Sequence, residues 1–237
     1  MSLDNNYDKK FLSLIHLLQM SDSAFPVGTF SFSNGLETAS HLGIVKDAST
    51  LEQYCASIAR QAAFSDGVSA ILSYRSARRA EIEEIVAIDK NLMLFKMNDE
   101  SRLMLKRMGK KLAELSFKLF PDNKIVAEWL VNINNERTPG SYPVTQGVVF
   151  AAADISEEEL FVSHQYGVIN VVCSAALRCV RVSHFDTQII IQRIGSKVKE
   201  WYDEARMMTL DDMNSFVPEA DIFSSIHEKG IMRMFMN

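Results

Sequence analysis

Apolar positions recur at helical spacing along nearly the whole chain, and strand-like alternation is scarce. An apolar run over residues 11–20 predicts a helix that stops at small polar residues. Ser49, Thr50, Leu51 and Glu52 read as a capping box opening a helix toward Arg60. Val68, Ile71, Leu72 and Arg75 carry a helical pattern over 64–79, and Ile82, Ile85, Val86 and Leu92 another over 81–95. Asn98 or Asp99 caps a helix running to about Leu119, with Leu105, Met108, Leu112 and Leu115 on its core face and Pro121 as its stop. A short helix over 122–133 leads into a loop at 132–141.

Tyr142-Pro143 enters an Ala-rich helix ending near Asp154, and Ser156 to Glu159 form a second capping box. Residues 160–182 are apolar almost all round and predict the buried central helix of a bundle. Val168, Ile169, Val171 and Val172 would also suit a buried strand, but the length and the cap favour helix. Residues 186–207 predict one long helix with Ile189, Ile190, Arg193, Ile194 and Val198 in register, followed by a turn or two over 210–216. The tail from Val217 is broken by Pro218 and Gly230 and reads as a short helix with a loose end. The pattern predicts an all-α, single-domain bundle of roughly eight to ten helices with a loosely tethered C-terminal tail.

One stretch, residues 17–37, changes chemistry several times. Pro26 fixes its own φ and holds Phe25 extended. Gly28 and Gly35 permit backbone that a side chain would block. Asn34 and Glu37 have the spacing of an N-cap reaching over a first turn, so the stretch reads as helix, structured loop, helix. Phe25, Phe30 and Phe32 would be packed or presented by that loop.

Composition narrows the chemistry. The 237 residues suffice for one sizeable core, and 47% hydrophobic with 23% charged residues is ordinary for a globular protein. A net charge of -5 gives no support for wrapping nucleic acid. Three Cys without a Cys-x-x-Cys fit a reducing cytoplasm, the first residues lack a basic leader, and the apolar run at 166–177 is too short to span a bilayer. No two of the five His share metal-ligand spacing, and no phosphate-binding Gly-Lys loop occurs. A nucleophile built from Ser31 or Ser33 with His41 and Glu37 remains as an enzyme reading, although a Ser in a turn more often caps. Arg102, Lys106, Arg107, Lys110 and Lys111 line one helix face, either as a solvated surface or as a partner patch. Gly109 within that helix implies a close approach. Ile231, Met232, Met234, Phe235 and Met236 leave an apolar tail with little to bury it internally, which suits an adaptable interface better than a tail docked on its own core.

Leu17-Leu18-Gln19, Pro26-Val27-Gly28-x-Phe30-Ser31-x-Ser33-x-Gly35-Leu36-Glu37 resembles the N-terminal signature of the UreF urease accessory family. Further blocks are similar: Glu100-x-Arg102 with Met108-Gly109-x-x-Leu112; Tyr142-Pro143 with Gly147; Tyr166 through Arg178 to Gln188; and His227-Glu228 with Arg233 and Phe235. Ser141 stands where family members often have His, and Arg181 where Pro is common. The resemblance spans residues 17–235 and implies one domain over 1–237, with 226–237 as a partner-binding tail. It implies a cytoplasmic, non-enzymatic scaffold that forms a homodimer. That scaffold would bind the UreD (UreH) chaperone, recruit the GTPase UreG and assist nickel insertion into apo-urease, with no cofactor of its own. A role in timing GTP hydrolysis needs a cation at the γ-phosphate, for which Arg178, Arg102 and Lys106 are the candidates. The partner-binding residues implied are Pro26, Gly28, Phe30, Ser31, Gly35, Glu37, Arg102, Tyr166, Arg178, Gln188, Arg233 and Phe235. Arg102 could instead anchor a neighbouring loop, and Arg178 and Gln188 could hydrogen-bond internally at a helix junction.

Overall fold

A computed structural model of the chain describes residues 2–28, 32–214, 217–228 and 234–235. Phe30, Ser31 and Arg233 lie outside the described residues. Within them the chain is all-α, and no strand occurs. The helices are α1 (Ser2–Ser21), α2 (Leu36–His41), α3 (Ala48–Ala62), α4 (Val68–Arg78), α5 (Ile82–Leu94), α6 (Asp99–Leu119), α7 (Lys124–Asn134), α8 (Tyr142–Ala152), α9 (Glu157–Cys179), α10 (His184–Gly195), α11 (Val198–Ala205) and α12 (Pro218–Glu228). A π-helical turn, Ala63–Gly67, joins α3 to α4.

Local chemistry explains most boundaries. Ser156 and Glu159 cap α9 reciprocally, as their spacing requires, and Asn98 caps α6 by accepting from the Ser101 N–H. The box opening α3 sits two residues earlier than the sequence suggests. Asp47 is the N-cap, and the Thr50 hydroxyl plays the part assigned to Glu52. The single helix expected over 186–207 is two, because α10 ends at Gly195 and α11 restarts at Val198. Ile190, Ile194 and Val198 are all buried, so the apolar register runs through the break and hides it.

Two glycine-lined contacts set the centre of the bundle. A Cβ at Gly147 of α8 would lie 2.2 Å from Ser73 Oγ and 2.5 Å from the Ala70 carbonyl of α4. A Cβ at Gly109 of α6 would lie 2.0 Å from the Gly140 carbonyl, so the close approach expected there is real, made by the loop entering α8. Buried Asp89 pins the same loop, accepting from the Thr138 hydroxyl (2.6 Å), the Gly140 N–H (2.6 Å) and the Ser141 N–H (2.9 Å). Trp129 is fully buried and donates its indole N–H to Thr145 Oγ1 at 3.0 Å.

A second apolar cluster joins α1 to α6, α8 and the start of α9. Met20, Val27 and Phe32 pack there with Met108, Leu112, Phe150 and Leu160. The loop of the opening stretch is thus held by its own apolar residues. α9 passes along the core but is not buried all round, since Val162 and Tyr166 are 48% and 43% exposed. It is the one described helix long and apolar enough to cross a membrane, and it is mostly buried, as the core helix of a bundle is. The outer face of α1 shows the reverse, with Phe11, Leu12, Leu14, Ile15 and Leu18 each about half exposed.

Candidate functional site

The opening stretch and the end of the chain meet. Asn34 and Gly35 both take left-handed backbone, φ 52° and 77°. The Tyr54 hydroxyl of α3 donates to the Asn34 carbonyl at 2.6 Å and fixes this turn. A Cβ at Gly35 would lie 3.0 Å from the Ala220 carbonyl and 3.1 Å from Phe223 Cβ, so Gly35 lets α12 close on the turn as well as bend it. Gly28, φ 91°, has nothing within 4 Å of such a Cβ, so its role is conformational alone.

Gly35, not Asn34, occupies the N-cap position of α2, and no side chain caps it. The capping role expected of Asn34 and Glu37 is therefore not what the structure shows. A left-handed Asn34 cannot present the extended backbone of an N-cap, and the Glu37 side chain turns inward. Glu37 is buried, and its Oε2 sits 2.9 Å from His227 Nε2 of α12. The N–H groups of Met234 and Phe235 donate to its two oxygens at 2.9 and 3.2 Å. On the other side of the ring, His227 Nδ1 lies 3.2 Å from Glu100 Oε2 of α6. The imidazolium is the form able to donate to both carboxylates at once. Burial pushes the Glu37 carboxyl up, but the Met234 N–H, His227 and the Phe235 N–H together hold it below its usual range.

Phe235 is buried, and the Arg178 guanidinium at the end of α9 stands 5.4 Å from its ring centroid. The closing segment thus docks on its own core at Phe235, against the expectation of little to bury it, while Met234 stays 56% exposed. The reason is pairing across the whole chain: Glu37 is 198 residues from Phe235 in sequence.

Of the expected partner-binding residues within the described part of the chain, the structure brings together Gly35, Glu37, Arg178 and Phe235 and leaves Pro26, Gly28, Arg102, Tyr166 and Gln188 apart. Pro26 and Gly28 are exposed on the loop, Tyr166 is exposed on α9, and Gln188 is exposed on α10. Arg178 and Gln188 therefore do not form a buried hydrogen-bonded junction. Arg102 is 44% exposed yet donates Nε–H to the Lys96 carbonyl at 2.8 Å, combining the anchor and the surface reading. Of the enzyme reading's residues, His41 is exposed at the end of α2 and Glu37 is buried and engaged with His227, while Ser31 lies outside the described residues. Sequence reasoning left Tyr54, Glu100 and His227 out of the site. Glu100 and His227 carried a signal through their places in the second and the closing block, and Tyr54 carried none. Among the described residues no group of three or more His, Cys, Asp or Glu could hold a metal ion.

Fold and site together define an all-α protein whose C-terminal segment is clasped against its N-terminal signature. The UreF family model matches residues 45–195. The chain is 44% identical over 224 residues to Urease accessory protein UreF 2 of Brucella canis, covering 94% of this chain and 92% of that protein. It is 41% identical over 224 residues to Urease accessory protein UreF of Yersinia enterocolitica, covering 94% and 98%. The chain belongs to the UreF family of urease accessory proteins.

Proposed function

We propose that this chain is a non-catalytic scaffold of urease maturation. In the cytoplasm, as a homodimer, it binds UreD (UreH), recruits the GTPase UreG and assists nickel insertion into apo-urease. Nickel is cargo passed between partners rather than a resident metal of this chain. The observation that carries the reading is family membership along almost the whole chain. Two surfaces support it. The half-exposed apolar row of α1 is the kind of patch that protein partners cover. The cationic face of α6 leaves Lys106, Arg107 and Lys110 exposed.

A cation that times GTP hydrolysis must be able to reach a phosphate. Arg102 is tied to the Lys96 carbonyl and Arg178 to the Phe235 ring, whereas Lys106 is exposed on the open face of α6. Lys106 is therefore the first of the three candidates to test.

The test is a pull-down from cells expressing the urease accessory proteins, with the full chain as bait. Wild-type chain recovers UreD and UreG. Phe235→Ala loses UreD while its helical circular dichroism is unchanged. Truncation is made after Glu228, so that His227 remains in α12. Wild-type recovery of neither partner would sink the scaffold reading. Undiminished UreD capture by Phe235→Ala would sink the tail assignment alone.

A further inference from the structure

A cavity of about 180 Å³ lies between the end of α1, the π-helical turn, α6, α9 and α12. A dry cavity of about 150 Å³ accommodates benzene, so this space suits a ring of that size with a substituent. The walls are mostly apolar and soft, with Met20, Met104, Met108, Ile58 and Val171 prominent. Methionine adapts to varied apolar shapes better than any branched side chain.

The ionisable groups of the lining are already engaged. Asp66, on the π-helical turn, pairs with the Lys96 ammonium at 2.5 Å, and the two charges cancel. Asp22 turns back on its own loop and accepts from the Ala24 N–H at 2.6 Å. Asp221 lies 3.4 Å from Asn98 Nδ2, and burial raises its carboxyl. His164 Nδ1 bonds to Gln146 Oε1 at 3.0 Å, and burial lowers the ring to about 4, so it is neutral at pH 7. Its Nε2 is closed off from the space. An anion finds no free cation here, and a cation finds carboxylates that are paired, turned away or costly to ionise. This lining favours a neutral occupant.

One polar group is left for it. Tyr142, the first residue of α8, lines the cavity and packs with Met20 and Met108. Among the described residues nothing hydrogen-bonds its hydroxyl, and that oxygen is not sealed off as His164 Nε2 is. Burial alone pushes it up to about 12, so it remains an O–H able both to donate and to accept. A buried tyrosine hydroxyl ordinarily finds a partner, and one left without a partner is costly.

We propose that this cavity binds a small neutral molecule, an apolar ring bearing one uncharged oxygen. The oxygen bonds to the Tyr142 hydroxyl and the ring lies against Met20, Met104 and Met108. The site is independent of the scaffold reading and of its partners.

The experiment titrates the purified full-length chain with benzyl alcohol, followed by calorimetry and by the methyl resonances of carbon-13-labelled methionines. The Met20, Met104 and Met108 resonances shift saturably, while those of Met97 and Met207, exposed elsewhere, stay still. Benzoate and benzylammonium, the same ring with a charge, bind at least about tenfold more weakly. Tyr142→Phe weakens benzyl alcohol roughly three- to tenfold and leaves toluene binding unchanged. Met104→Trp fills the apolar wall and abolishes binding of both. Circular dichroism checks the two variants, and if neither folds the wild-type series decides. Methionine resonances of the wall unmoved at saturating benzyl alcohol overturn the proposal. So does either charged ring binding as tightly as the alcohol, or a folded Tyr142→Phe that treats alcohol and toluene alike.

Discussion

Glu37 and His164 are both buried and titratable, and acid acts on them differently. Glu37 accepts hydrogen bonds as a carboxylate, and its folded-state pKa lies below the ordinary 4.5. Its contribution is therefore full above that value and is lost as pH falls through the lower folded value. Acidification from about pH 4.5 downward should release the Met234 and Phe235 N–H groups before the helices melt, read as rising amide exchange at those two residues. Glu37→Gln should reproduce the release at neutral pH. An amide oxygen cannot replace both carboxylate oxygens, and its NH2 would face backbone donors. His164 is held neutral, at about 4 against 6.5 for a free imidazole. The unfolded chain takes up that proton first, so stability falls as pH drops from 6.5 to 4, by roughly 3 kcal/mol. Denaturant midpoints measured across that interval should drop in the wild type and flatten in His164→Phe. Equal slopes would show that His164 is not the titrating group. Neither role was legible locally. Glu37 sat at capping spacing, and the partner that claims it, His227, lies 190 residues away.

Among the elements, two glycines separate packing from propensity. Gly109 and Gly167 both lie inside helices, where Gly→Ala gains up to about 1 kcal/mol of propensity. At Gly167 of α9 an added Cβ meets nothing within 4 Å, so Gly167→Ala should raise the melting temperature slightly. At Gly109 it would meet the Gly140 carbonyl at 2.0 Å, which is backbone pinned by Asp89 and unable to yield cheaply. Gly109→Ala should destabilise by about 1–3 kcal/mol despite its better propensity. Thermal melts of the two variants would move in opposite directions, and a shift of both upward would refute the close approach. Helix existence was legible because apolar spacing and most caps are local. Ser156 and Glu159 needed no tertiary information, and α9 formed where its cap placed it, although it ends at Cys179 rather than Val182 and keeps Val162 and Tyr166 exposed. The start of α3 was misplaced because Asp47 and Ser49 both suit an N-cap and only the structure shows Thr50 closing the box. The π-helical turn at Ala63–Gly67 left no trace, since its residues continue the helical pattern.

At the scale of the whole molecule, the sequence carries a family block near each end of the chain but could not show that the two touch. Their meeting makes one end of the bundle a single mechanical unit. The Asn34–Gly35 turn is held by Tyr54 of α3 and backed by α12, and Tyr54 stacks on Phe223 with centroids 6.5 Å apart. Glu37 and His227 then tie α2 to α12 and, through Glu100, to α6. The contact between α4 and α8 lies elsewhere and uses none of these groups. Local unfolding should follow that division, because elements sharing buried polar links open together. Phe235→Ala removes a buried ring and the face on which Arg178 rests, a change worth about 3 kcal/mol or more for a well-packed site. His227→Ala removes the ring that bridges buried Glu37 to Glu100, at a cost of about 1–3 kcal/mol. In native-state hydrogen exchange, either variant should raise the exchange of α2 and α12 amides by similar factors while α4 and α8 keep wild-type protection. If α12 alone loosens, the two ends are neighbours without being coupled. If α4 and α8 loosen equally, the bundle opens as one unit and the clasp has no stability of its own.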